Sequence, residues 1–200
     1  IFRDIDSFDK IVVVEPSEMF YQKAKADKAE KKGKQIILMK GLLEDVKDRL
    51  SDYDFDFIIL SGLLHEVVDP KKMLESILEL CSDKTVLHIN VPNAKSFHRL
   101  LAVEMGLITD EFQKSANNIQ LQQNTIFDIG LLKSMVTECG YSVIECGSYA
   151  FKPFAHAQMQ RMLDDGLLTT QILEGFYKME KYVPDLGSEI FVNVRKRGNV

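Results

Sequence analysis

Among the titratable residues of this 200-residue chain, His65 and Glu15 stand where chemistry would need them. His65 follows the apolar run Phe57–Leu60 after a Ser61-Gly62 break. Its imidazole titrates near neutrality, so it can take or give a proton at an acceptor atom. It reads equally well as a loop residue that bonds backbone and positions Glu66. Glu15 ends the apolar run Ile11–Val14 and is followed by Pro16-Ser17. A carboxylate at the carboxyl end of a strand can accept both hydrogen bonds of a ribose diol, although acids also end strands with no such role. Asn93 and His98 follow a third apolar run, Thr85–Val91, and are expected to face the same cleft as Ser61–Glu66. His88, inside that run, reads as a satisfied strand residue, Arg99 as the partner of a surface acid, and His156 as a weaker acceptor-side candidate. The cysteines at 81, 139 and 146 show no CxxC spacing and no histidine partner pattern, so no metal site is expected.

Positioning these residues requires strands that end together. Phe57–Leu60 and Ile11–Val14 are too short and too continuous to be helix faces, and they read as strands buried on both sides in a parallel sheet. Ser17 is placed to cap a helix running to about Lys32, with Met19, Phe20 and Ala24 inward and Gly33 as its stop. Gln35–Met39 is the next strand, closed by Gly41. Leu42-Leu43-Glu44 then falls where an adenine-type ring could lie, or contributes ordinary core. Val46–Leu50 reads as a short helix. Asp69-Pro70 predicts the start of a helix over 70–81, with Asp as cap and Pro at the first position. Phe127–Cys139 is a helix closed by Gly140, and Tyr141–Tyr149 and Ser188–Lys196 are the last strands, one of them reversed.

This alternation predicts an α/β fold: a doubly wound, Rossmann-like, mostly parallel sheet with a final antiparallel strand. One domain over 1–200 is expected. The amide-rich stretch within 93–124 (Gln120, Gln122, Gln123 and Asn124 among it) and the irregular stretch 150–187 would form a substrate cover.

A net charge of −5 with scattered Lys and Arg argues against a nucleic-acid surface. No apolar stretch approaches the roughly 18 residues of a membrane span. Unpaired cysteines fit a cytoplasmic protein. Oligomeric state is not readable. The chain starts at Ile1 rather than Met, and IFRDIDS reads as the tail of an earlier element, so truncation at the amino end is expected.

Three segments carry a resemblance: VVVEPS at Val12–Ser17, FDFIILSGLLHEVVDP at Phe55–Pro70, and NVPNAKSFHRLL at Asn90–Leu101. Together they resemble class I S-adenosylmethionine-dependent methyltransferases, in particular the small-molecule branch that includes ubiquinone-biosynthesis O-methyltransferases. The resemblance implies S-adenosyl-L-methionine as cofactor and S-adenosyl-L-homocysteine as product. Glu15, with Pro16 beside it, would take the ribose. Leu42 and Leu43 would flank the adenine, with Glu44 near its amine. Ser61, Gly62 and Leu63 would line the methionine side, His65 the reacting methyl, and Asn93, His98 and His156 the acceptor.

The implied function is O- or N-methylation of a small polar molecule, with a sugar or glycan precursor as one such acceptor. Holding the nucleophile aligned is worth several kcal/mol in such a displacement, on the order of what positioning generally contributes. The family's glycine-rich turn and the strand before it are absent from the sequence. That strand lies centrally in the family's sheet, between the second and fourth strands. Ile1–Ile5 would then end the helix that follows the turn, and a chain beginning there should bind cofactor poorly. A non-catalytic methyltransferase-like scaffold and an NAD-dependent oxidoreductase are the alternatives.

Overall fold

The apolar runs become strands, and their pairing divides between two compact units, residues 1–54 and 55–200. The structure, a computed structural model, describes residues 5, 7–30, 35–114, 116–120 and 123–198. In the first unit, β1 (Lys10–Glu15) runs parallel to β2 (Gln35–Lys40), in register from Lys10↔Gln35 to Glu15↔Lys40. Helix α1 (Glu18–Glu30) makes the crossover, as parallel pairing requires. Helix α2 (Leu43–Leu50) follows, and Val46 and Leu50 are buried in this unit's core, as are Ile36 and Met39.

The inward stripe expected of α1 is wrong in part. Met19 is 69% and Phe20 53% exposed, whereas Tyr21, Ala24 and Asp27 are the half-buried residues. The three-residue spacing from Tyr21 sets the buried face, and the two apolar residues of the first turn lie beside it. The expected end of this helix at Lys32 and Gly33 lies outside the described residues, as do most of Ile1–Ile5 and Gln122. Helix α2 begins at Leu43, three residues earlier than expected, because Asp45 accepts the Leu42 backbone N–H at 3.1 Å and closes the first turn there.

In the second unit, β3 (Phe57–Ser61) runs parallel to β4 (Val86–Pro92). β6 (Glu189–Lys196) lies antiparallel between β4 and β5 (Tyr141–Tyr149), giving the order β3-β4-β6-β5. Only β6 is reversed, which agrees with the expected mostly parallel sheet and its late antiparallel strand. Among the described residues, β1 has β2 as its strand neighbour and β3 has β4.

One face of the four-stranded sheet is core. Leu60, Leu87, Ile89, Val91, Ile190, Val192 and Val194 are all buried. So are Leu74 and Ile77 of helix α3 (Pro70–Leu78) and Leu132, Met135 and Val136 of helix α6 (Ile129–Glu138). Each such side chain contributes about 1.5–3 kcal/mol by leaving water. The Tyr141 hydroxyl ties β5 to α3 by donating to the Leu74 carbonyl at 2.8 Å.

The opposite face corrects a second expectation, because β3 is not buried on both sides: Phe57 is 51% and Ile59 41% exposed. A continuous apolar run records that a strand is apolar, not that both its faces are covered. On that face Phe57 stacks on His88 at 6.4 Å, and His88 stacks on Phe191 at 5.8 Å. His88 also shares a hydrogen bond with Asn193 at 2.7 Å, so it is a satisfied face residue as read from the sequence.

Helix α3 starts as expected, with Asp69 accepting the Lys72 N–H at 3.0 Å and Pro70 in the first turn. It ends at Leu78 rather than Cys81, where Leu80 and Cys81 donate to carbonyls three residues back and tighten the last turn. The stretch after β4 forms helix α4 (Phe97–Glu104) and the short α5 (Ala116–Gln120). The stretch between β5 and β6 forms α7 (His156–Asp164) and α8 (Thr170–Lys178). No helix among the described residues is long and apolar enough to cross a membrane.

Candidate active site

At the carboxyl end of β3 the chain turns sharply. Ser61 and Gly62 are exposed, and Gly62 adopts φ 61°, a left-handed conformation that costs any residue with a Cβ. Its N–H donates to the Asn90 carbonyl at 3.0 Å, fixing the bend to the neighbouring strand. Leu63 remains 39% exposed on the outside of the turn, while Leu64 is fully buried and anchors it.

His65 comes next and is only 5% exposed. Its carbonyl accepts the N–H groups of Asn124 at 2.8 Å and Thr125 at 3.1 Å, and the Asn124 side chain donates to the Glu66 carbonyl at 2.7 Å. The loop is therefore held by the segment expected to cover it. His65 Nε2 lies 3.7 Å from Glu66 Oε1, and Nδ1 is buried with no partner among the described residues. Burial holds the imidazole below its usual pKa, with the Glu66 carboxylate opposing that shift. At neutral pH the ring is neutral and one nitrogen is free to accept a proton.

His65 lines a small cleft of about 40 Å³ with Pro92, Asn93, Arg99 and Thr125. The cleft lies outside the carboxyl ends of β3 and β4, where open α/β sheets place ligands. Asn93 is in its wall, but its amide donates to the Asp185 and Gly187 carbonyls at 3.1 and 2.9 Å and accepts the Lys95 N–H at 2.9 Å. Its polar atoms thus hold backbone together. Arg99, read from the sequence as a surface partner, instead lines this cleft and donates to the Glu111 and Gln113 carbonyls. Its place one residue after His98, in the first turn of the helix leaving the sheet, was the available signal.

The other acceptor-side candidates lie apart from the cleft wall. His98 Nδ1 is buried without a partner among the described residues, and its pKa is pushed down to about 4 by burial and by the neighbouring Lys152 and Arg99 charges. His156 is exposed at the start of α7.

In the first unit, the Ser17 N–H donates to Glu15 Oε1 at 2.8 Å, spanning the exposed Pro16. This fixes the carboxylate at one oxygen and suits the other to a ligand hydroxyl. Gly41 donates to the Glu15 carbonyl at 3.3 Å, so the ends of β1 and β2 are joined. Leu42 sits just before α2 with 56% of its surface exposed, so it is not core. Leu43 is half-buried and Glu44 exposed in the first helical turn. The ends of β1 and β2 thus carry an acid with one oxygen committed and an exposed leucine at a helix start.

Residues 2–145 match the family described as methyltransferase domain. The CurJ carbon methyltransferase superposes with a TM-score of 0.53 at 13% identity, over 94% of this chain and 42% of that one. A methyltransferase of Thermotoga maritima, described as a possible histamine N-methyltransferase, gives 0.54 at 13% identity, over 93% of this chain and 72% of that one. PKMT2 from Rickettsia typhi, solved with AdoHcy, gives 0.56 at 10% identity, over 96% of this chain and 44% of that one. The chain thus spans less than half the length of two of these proteins, and identities this low speak for fold alone. No curated protein sequence matches the chain significantly. The family match covers most of the chain, and with the sheet order it shows that the chain belongs to the class I S-adenosylmethionine-dependent methyltransferases.

Proposed function

We propose that this chain methylates a small polar acceptor at oxygen or nitrogen, with His65 as the base when the acceptor is a hydroxyl. The observation that carries the reading is His65 Nδ1, buried, unpartnered among the described residues, on a ring that lines the cleft beyond β3 and β4. The bound cofactor supplies an electrophilic methyl group on a sulfonium. Glu15 accepts the ribose hydroxyls, Leu42 and Leu43 present apolar surface to the base, with Glu44 near its amine, and Ser61, Gly62 and Leu63 contact the methionine portion. Asn93 shapes the acceptor side, Arg99 closes it, and His65 takes the hydroxyl proton as the new bond forms.

An amine acceptor needs no base, and His65 then shapes the pocket. Fold does not choose between these, since the related structures are named for carbon and for nitrogen methylation. A sugar or glycan precursor suits the amide-rich segment near the cleft. Free cysteines at 81, 139 and 146 favour a cytoplasmic setting.

The test is an acceptor screen with isotope-labelled S-adenosylmethionine, followed by kinetics of His65→Ala on the best acceptor. For a hydroxyl acceptor kcat should fall on the order of 10²–10⁴-fold, the usual worth of a general base, with KM little changed. A variant as fast as wild type on a hydroxyl acceptor overturns the base assignment.

A further inference from the structure

A second group of polar side chains lies on the sheet's less covered face, where β4 ends and β6 begins. Asn90, only 7% exposed, donates from Nδ2 to Glu189 Oε2 at 3.5 Å. Glu189 pairs in register with Pro92 on one side and Tyr149 on the other. Lys152 comes close enough to act electrostatically on both Glu189 and His98. Burial lowers the Lys152 pKa and raises that of Glu189, so both charges are partly stripped of water. No ion pair joins the two among the described residues.

The backbone is built to bring Lys152 here. Ala150 adopts φ 60°, a left-handed conformation that is costly for a residue with a Cβ. Its N–H donates to Glu180 Oε1 at 2.6 Å and its carbonyl accepts from Ser188 at 3.2 Å, which turns the chain back over the start of β6. Phe151 packs between Phe97 at 5.2 Å and Phe176 at 6.2 Å, so the segment is seated on α4 and α8. Strained backbone of this kind is kept where a site needs it. Two buried polar atoms in this corner, His98 Nδ1 and Ser188 Oγ, have no partner among the described residues.

We propose that Asn90, Lys152 and Glu189 form a recognition subsite for the hydroxyls of a carbohydrate ring. The inference rests on the methyltransferase reading and names the class of its acceptor. A hydroxyl can donate to a carboxylate such as Glu189 and accept from an ammonium such as Lys152, so a polyhydroxylated ligand can satisfy both kinds of charge. The subsite has one charge of each sign plus several neutral donors and acceptors, which suits a neutral ligand making many hydrogen bonds. Tyr149 of β5 and Phe191 of β6, with ring centroids 6.2 Å apart, offer ring surface to the C–H groups of a sugar.

The experiment is a titration of the full chain with D-glucose, D-galactose and D-mannose, and with glycine as a zwitterion, followed by the side-chain amide NMR signal of Asn90. At least one hexose should move that signal, and Glu189→Gln and Lys152→Gln should each weaken its binding at least tenfold while AdoHcy affinity stays within twofold. Hexoses that leave Asn90 unmoved, variants that bind as wild type does, or a response to glycine alone each overturn the subsite. The amide spectrum of each variant reports that it is folded. Sugar binding is read without cofactor, so failure to bind AdoHcy counts against the methyltransferase reading and not against the subsite.

Discussion

His65 and His98 are both imidazoles kept out of water, and their consequences follow from the sign of that shift. Each has its folded-state pKa below the unfolded value, so each binds fewer protons when folded as pH falls past about 6.5. Their stabilising contribution is complete above the unfolded pKa and is lost as pH drops toward the His98 value of about 4. For His98, discounted for partial solvent exposure, the loss is on the order of 1–2 kcal/mol. Urea denaturation at pH 7 and pH 4.5 should therefore show a smaller stability drop for His98→Gln than for wild type. An equal drop contradicts a buried neutral His98.

At this scale the places of Glu15 at the end of β1 and of His65 in the loop after β3 were legible, because a carboxylate ending an apolar run and an imidazole after a Ser-Gly break are local signals. Arg99, Lys152 and Glu189 were not. Lys152 and Glu189 come within electrostatic reach through a left-handed turn at Ala150 and a strand that begins 37 residues on, and one-dimensional spacing carries neither.

Among the elements, caps and strand ends were the parts written plainly. Asp69-Pro70 began a helix as read, and Asp128 caps α6 by accepting the Leu131 N–H at 2.8 Å. Burial of faces was less legible: Met19, Phe20, Phe57 and Ile59 are apolar yet exposed, because hydrophobicity records tendency and the neighbouring element decides coverage. The start of β6 depends on a close approach that the sequence marks only by a glycine. A Cβ on Gly187 would strike the Tyr149 backbone and the Ser148 hydroxyl. Gly187→Ala should cost about 1–3 kcal/mol as an overpacked site, read as a lowered urea midpoint with unchanged m-value. A midpoint equal to wild type would show that the β5–β6 corner is not packed as described.

For the whole molecule, alternating strands and helices were enough to read a mostly parallel sheet with one reversed strand. The order β3-β4-β6-β5 placed the reversed strand second from the end, a detail that depends on the 150–187 connection. The family's function requires that the residues read as cofactor contacts act on one ligand. The direct measurement is calorimetry on the protein as it is encoded, with S-adenosylhomocysteine and NAD as rival ligands and Glu15→Gln as the variant. S-adenosylhomocysteine should bind and NAD should not, and the variant should weaken binding by about 10–100-fold, as loss of hydrogen bonds to a charged acceptor does. Binding of NAD without S-adenosylhomocysteine, or a Glu15→Gln affinity equal to wild type, would contradict the account.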